Sequence, residues 1–244
     1  MTSFNESQHN RSADGKFTHK PHEEGDPILI LPARDLDPNE LARRKTAAIL
    51  LRPTTPRKVV RDYATGSDDS WLRSVAVEAL DATPDELDTF AKDTSLDVRT
   101  STASMPGVRP ETMRRLAGDK EWVVRESAAY NPETPASALK ELGGDPEQAV
   151  RRAAAGNPNT PADTLAALTR DEHEAVRIDA VVNPSVPGTA LREAAASEEW
   201  RIRAAAAENP NADREMLETL RNDEHWMVRE IAAARSPVEI SDIT

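Results

Sequence analysis

The chain repeats itself every 26 residues, and this period restricts the fold more than any other feature of its 244 residues. One arginine returns at every step, as Arg73, Arg99, Arg125, Arg151, Arg177, Arg203 and Arg229. An aliphatic residue precedes each of these arginines, and apolar residues recur fourteen and seventeen positions after it. Self-similarity at such a period is the signature of stacked structural repeats.

Each repeat predicts two helices, because apolar residues three or four positions apart mark one face of a helix. The first helix carries the Val-Arg pair and ends near Asn-Pro, since proline disfavours helical geometry in the residue before it. Pro146 is expected at its first helical position in one repeat, and Thr134-Pro135 is expected to cap and start a second helix. The first helix is expected to open, capped by a side-chain oxygen, at Asp93, Asp119, Asp145, Asp171, Ser197 and Asp223.

Two-helix units of this size cannot bury a core alone, but a stack of them can. We therefore predict an all-α fold, a HEAT-like α-solenoid over residues 41–244, with repeats in register from about 68 to 235. The stretch RRKTAAILLRPTTPRKVV predicts a degenerate first repeat that caps the stack. Residues 28–40 are expected to form an apolar linker or cap. Residues 1–27 are expected to form a disordered polar tail, because this segment holds almost no aliphatic side chains.

The repeat unit VRRAAAGNPNTPADTLAALTRD, residues 150–171, resembles the bacterial leucine-rich repeat variant family. The resemblance spans about residues 41 to 235. It implies a right-handed superhelix in which an α-helix alternates with a shorter helix, sometimes of the 3₁₀ kind, and it implies no activity. Some proteins with these repeats carry a cysteine-rich iron–sulfur segment, which this cysteine-free chain cannot supply. The stretch HNRSADGKFTHK, residues 9–20, resembles N-terminal segments of proteins from actinobacterial plasmids and phages.

Charge and composition narrow the functional class. The 43 acidic residues outnumber the 31 basic ones, giving a net charge of -12, which opposes nonspecific attraction to nucleic acid or anionic membrane. The sequence contains no phosphate-binding loop, zinc-protease motif or nucleophile elbow, so we predict no enzyme, catalytic residue, metal or cofactor. A cytoplasmic location is expected, since there is neither a cysteine nor an apolar leader.

Two polar columns admit both a structural and a ligand-binding interpretation. The seven arginines could track a phosphate backbone, but each follows a core aliphatic residue. Glutamates stand four residues before Arg125, Arg151 and Arg203, the favourable order for ion pairs within a helix, so we favour the structural interpretation. The recurring asparagine, at Asn131, Asn157, Asn183 and Asn209, is likewise expected to bond the backbone at the helix exits.

Trp122, Trp200 and Trp226 share one column in which other repeats carry Leu96, Gln148 and Glu174. Such a mixed column does not belong in a core, so these tryptophans are candidates for anchoring a partner, the alternative being that each covers the neighbouring repeat. We predict a noncatalytic scaffold for protein–protein interaction, regulatory or encoded on a mobile element. The alternatives are a nucleic-acid binder that uses the arginines and an adaptor recognised through its N-terminal tail.

Overall fold

The computed structural model describes residues 37–235, where fifteen helices and no strand are found. The helices alternate between two layers. The first layer consists of α1 Pro38–Leu50, α3 Ser70–Ala79, α5 Leu96–Ser104, α7 Trp122–Tyr130, α9 Gln148–Gly156, α11 Glu174–Val182, α13 Trp200–Glu208 and α15 Trp226–Arg235. The second layer consists of α2 Arg57–Gly66, α4 Pro84–Phe90, α6 Pro110–Ala117, α8 Ala136–Leu142, α10 Ala162–Leu168, α12 Gly188–Ala195 and α14 Arg214–Leu220. The predicted all-α solenoid is confirmed.

Neighbouring first-layer helices pack side by side along the whole stack, whereas second-layer helices contact one another much less. The first layer is therefore the more closely packed of the two, and we call it the inner layer. The core runs continuously between the layers. It is built from the aliphatic residue before each arginine, such as Val150 and Val176, and from the residue fourteen positions after it, such as Leu139 and Leu165, all of which are fully buried.

The first unit, α1 and α2, stands where the sequence predicts a degenerate repeat, and Pro53 and Pro56 lie between its helices. Helix α1 begins at Pro38, inside the segment predicted as a linker or cap, and Asp37 caps it by accepting the N–H groups of Asn39 and Glu40. The predicted tail, residues 1–27, and the stretch 9–20 within it lie outside the described residues, as do residues 236–244.

The recurring aspartate does not cap the first helix as predicted. Helix α7 begins at Trp122 and α9 at Gln148, three residues after Asp119 and Asp145, so the helical start at Pro146 is also wrong. The Asp119 carboxylate instead accepts the N–H group two residues ahead, at 2.9 Å. The other recurring aspartates accept the equivalent N–H group, and so does the hydroxyl of Ser197. Because this short turn uses a single N–H group, the Asp119 carboxylate can also bind an arginine of the preceding repeat.

The second helices also begin differently from the prediction. Thr134 does not cap α8; its buried hydroxyl donates to the carbonyl oxygen of Ala128, at 2.5 Å, and so closes the end of α7. Thr83, one position further along its own repeat, does form a capping box with Glu86 at the start of α4. All second-layer helices within residues 37–235 are α-helices rather than 3₁₀ segments.

The asparagines form the backbone-bonded ladder that the sequence predicts. The Asn157 side-chain amide donates to the carbonyls of Ala129, at 2.7 Å, and of Asn131, at 2.8 Å, in the preceding repeat. Its side-chain oxygen accepts the N–H of Asn159. Asn131, Asn183 and Asn209 make the same bonds in their repeats. Because these amides are buried, the ladder joins the repeats along the edge where the first helices end.

Candidate binding surface

The arginine column forms a second ladder along the opposite edge, where the first helices begin. Arg151 donates from Nε and Nη2 to the two carboxylate oxygens of Asp171 in the next repeat, at 2.6 and 3.1 Å. Its Nη1 donates to the carbonyl of Asp145 at 2.9 Å. Five of the seven column arginines make this paired contact, with Nε and Nη2 distances between 2.6 and 3.2 Å: Arg73, Arg99, Arg125, Arg151 and Arg203.

The ladder also fixes the charge state of its acids. Burial raises the pKa of Asp171, but hydrogen bonds from Arg151 and from the N–H of His173 outweigh it, so the net pKa falls below the ordinary value. The same balance lowers the pKa of Asp119 and Asp145. The partner acid of Arg125 is Asp145 rather than Glu121, so the predicted ion pair within one helix is wrong. This geometry favours the structural interpretation of the arginines, because their nitrogens already hold protein oxygens.

Two column arginines differ from the other five. Ser197 replaces the aspartate that would pair with Arg177, so Arg177 Nη2 reaches Glu199 at 2.6 Å. The Nε of Arg177 is buried without a hydrogen-bond partner. Arg229, in the last described helix, is held through Nη1 by the carbonyls of Asp223 and Glu224. The ladder is therefore incomplete between α11 and α13.

The structure separates the three candidate tryptophans. Trp122 and Trp226 are 42% and 58% exposed, whereas Trp200 is partly buried against the core. The Trp200 ring stacks on His225 of the next repeat, with centroids 4.0 Å apart, and Arg201 covers it at 4.8 Å. Trp200 therefore covers the neighbouring repeat, while Trp122 and Trp226 present their rings to solvent.

The solvent-facing side chains of the first-layer helices form a surface that we call the inner face. It is drawn from the positions three and two residues before each column arginine and one, two and five residues after it, which include the tryptophans. Several small residues at these positions, such as Ser101, Ala153 and Ala205, are buried. From α3 to α15 these positions carry two arginines, Arg152 and Arg201. They carry seven acids, Glu78, Asp97, Glu126, Glu174, Asp179, Glu208 and Glu230. The inner face is thus acidic, with no continuous positive track.

A group of polar side chains lies at the middle of the inner face, on three consecutive first-layer helices. Arg152 of α9 donates from Nε to Asp179 of α11, at 2.7 Å. Glu126 and Tyr130 stand one turn apart on α7, and both interact electrostatically with Arg152. Burial raises the pKa of Glu126, although Arg152 acts in the opposite direction.

Sequence reasoning did not single out this central group. Its signal was nonetheless present, since Tyr130, Arg152 and Asp179 each differ from the residue of every other repeat at their position, and Glu126 is matched only by Glu230. What the spacing could not supply is which helices lie side by side. Within residues 37–235 no set of three or more histidines and acids is arranged to hold a metal ion, and no helix there is long and apolar enough to cross a bilayer.

The leucine-rich repeat variant family model matches residues 122–147, 149–173 and 200–225, which are three of the units described above. The resemblance to this family that the sequence predicts is thus confirmed for these three units. A solved structure described as a leucine-rich repeat variant with a novel repetitive structural motif aligns with a TM-score of 0.54 and 21% identity, over 86% of this chain and 88% of the other.

The X-ray structure of YibA from Escherichia coli aligns with the chain with a TM-score of 0.53 and 19% identity, over 86% of this chain and 89% of the other. At these identities the two alignments establish the shared fold only. Among curated proteins, none matches this chain in sequence.

Proposed function

We propose that this leucine-rich repeat variant protein is a noncatalytic scaffold that binds another protein on its inner face. The observation that carries the proposal is the contrast between the edges and the inner face. The arginine and asparagine columns at the two edges recur along the stack, and their side chains are engaged in ion pairs and backbone hydrogen bonds. The residues of the inner face vary from repeat to repeat. Exposed aromatic rings, which commonly anchor protein partners, occur there at Trp122, Tyr130 and Trp226.

The charge of the inner face favours a protein over a nucleic acid, because a phosphate backbone is drawn to continuous positive charge. The column arginines do not supply it, since six of the seven hold a carboxylate. A cytoplasmic location belongs to the same proposal and is supported by the cysteine-free sequence. A regulatory role or an origin on a mobile element rests on residues 9–20 alone, and recognition through the N-terminal tail would involve residues outside those described.

Capture of a partner by the immobilised full chain tests the proposal, with bound proteins quantified by mass spectrometry. Replacing Trp122 and Trp226 together by Ala should lower capture of a specific partner about tenfold, equivalent to ~1.4 kcal/mol, with helical circular dichroism unchanged. The matched control replaces Glu141 and Thr189 by Ala, since both are exposed on second-layer helices. Equal loss in the two double variants would refute a role for the inner face.

A parallel binding assay addresses the rival function. Single-stranded and duplex DNA, and RNA of the same length, are titrated with the full chain at low salt. The scaffold proposal expects no salt-dependent binding. Tight binding that weakens steeply as salt rises would replace it with the nucleic-acid function.

A further inference from the structure

The middle of the inner face contains an open notch at Gly156. Gly156 occupies the position held by Tyr130 in the preceding repeat and by Val182 in the following one. A Cβ atom built at Gly156 would meet no atom within 4 Å. Helices α7, α9 and α11 pack side by side, so the missing side chain leaves open space on α9 between the positions of Tyr130 and Val182.

One wall of this notch carries a carboxylate that lacks a close partner. Glu126 lies one turn before Tyr130 on α7 and is half-buried. Arg152, the nearest cation, directs its Nε away from α7 to Asp179 of α11. Among residues 37–235, no hydrogen bond and no ion pair within 4 Å engages the Glu126 carboxylate. Burial without such a partner disfavours the charged form, and this is why the pKa of Glu126 is raised.

The chemistry of the notch selects a particular kind of group. A partly buried carboxylate is stabilised most by a cation that also donates hydrogen bonds to it. The half-exposed ring of Tyr130 offers a surface for an aliphatic stem and a face for a positive charge. Lysine and arginine side chains combine these properties, whereas an acidic side chain would meet Glu126 and Asp179.

We propose that this notch, formed by Glu126, Tyr130, Gly156 and Val182, receives a lysine or arginine side chain from an extended basic segment of a partner protein. The inference rests on the proposed scaffold function and names the chemistry of the partner. Packed helices lie roughly 8–10 Å apart and an extended chain rises roughly 3.3–3.6 Å per residue, so about three residues cross each repeat. The seven acids of the inner face favour a segment with several basic residues.

The test measures fluorescence anisotropy of labelled peptides with the full-length chain. The probe is an eight-residue peptide of alternating Lys and Ala; in the comparison peptide norleucine, which keeps the aliphatic stem without the charge, replaces Lys. The wild type should bind the lysine peptide about tenfold more tightly, because one charge-assisted hydrogen bond has about this effect.

Two substitutions test the notch, one by removing its charge and the other by filling its volume. Glu126→Gln keeps the shape and removes the charge, so it should weaken the lysine peptide about tenfold and leave the norleucine peptide unchanged. Gly156→Leu fills the gap and should weaken both peptides. It should not unfold the chain, since the site is open and leucine favours helices more than glycine does. Glu141→Gln, exposed on α8, is the matched control and should change neither affinity.

Failure to bind the lysine peptide, equal affinity for the two peptides, or indifference to both notch substitutions overturns the proposal. The same variants are then placed in the partner-capture assay. If the wild type captures a partner through Trp122 and Trp226 but the notch substitutions leave the amount captured unchanged, the proposed role of the notch is wrong and the scaffold function stands. If no capture depends on the inner face, the scaffold function itself fails.

Discussion

Position 197 is where the arginine–aspartate ladder lacks its acid, and restoring the acid should stabilise the solenoid. At this junction Arg177 Nε is buried without an acceptor, while Glu199, about half-exposed, holds Nη2 at 2.6 Å. In five other repeats an aspartate binds both nitrogens. Ser197→Asp places a carboxylate at the same point of the repeat, where the Ser197 hydroxyl already accepts the N–H of Glu199.

The magnitude follows from what changes at Arg177. An unsatisfied buried donor costs about 1–3 kcal/mol, and a hydrogen bond to a charged group contributes about 1.5–3 kcal/mol. Against this stand the desolvation of a new carboxylate and the weakening of the bond to Glu199. The guanidinium is already buried in the wild type, so only the carboxylate adds a desolvation cost. We expect a net gain of about 1 kcal/mol, or about 2–4 °C in melting temperature for a chain of this length.

Urea unfolding followed by circular dichroism measures this gain in the wild type and the variant. Ser197→Asn is the matched control; its amide oxygen accepts a hydrogen bond but carries no charge, so it should yield a smaller gain. Arg177→Leu removes the partner, and in that background Ser197→Asp should give no gain. Stabilisation that persists without Arg177, or a loss of stability in Ser197→Asp itself, would refute this account of the ladder.

Three further perturbations test the core, the asparagine ladder and the acid response. Leu165→Ala removes a fully buried side chain and should lower the free energy of unfolding by about 2–5 kcal/mol. The control Lys140→Ala, at an exposed position, should change it very little. Equal unfolding midpoints of the two variants in urea would disprove the core assignment. Asn157→Leu deprives two buried carbonyls of their donors and should cost about 2 kcal/mol or more, measured the same way; an unchanged midpoint would contradict the ladder's role.

The Thr83 N–H and neighbouring donors lower the Glu86 pKa from 4.5 to about 2, so its stabilisation is complete above pH 4.5 and lost as pH falls toward 2. Glu86→Gln should therefore destabilise at pH 7, with melting curves converging near pH 2; a constant difference would contradict the pKa assignment.

The repeating columns were predictable because each must satisfy the same contact in every unit. The aliphatic residue before each arginine and the leucine fourteen positions later are buried where the period places them, as Val150 and Leu165 show. The asparagine column was predictable for a related reason. A side-chain amide before proline at a helix exit has backbone groups within reach, and those groups recur in each repeat.

The helix starts and ion pairs were not predictable from local spacing. Rules for capping and for residues four apart consider one helix at a time, and they assigned Asp145 to a cap and Glu121 to Arg125. In the structure the Asp145 carboxylate accepts an N–H two residues ahead and also binds Arg125, which lies 20 residues earlier in the chain. A contact across that separation depends on the rise between repeats, which the sequence period does not contain.

The two ladders explain how the inner face is free to vary. Helices α7, α9, α11 and α13 are each fixed at the beginning by a guanidinium bound to the next repeat and at the end by an amide bound to the preceding one. Both attachments use side chains at the edges of the stack, and core packing uses the side facing the second layer. The exposed positions of the inner face carry neither task, so Trp122 in one repeat can become Gln148 in the next and Glu174 in the one after without altering the stack. Variation confined to these positions changes what the surface binds while the spacing of the repeats stays constant.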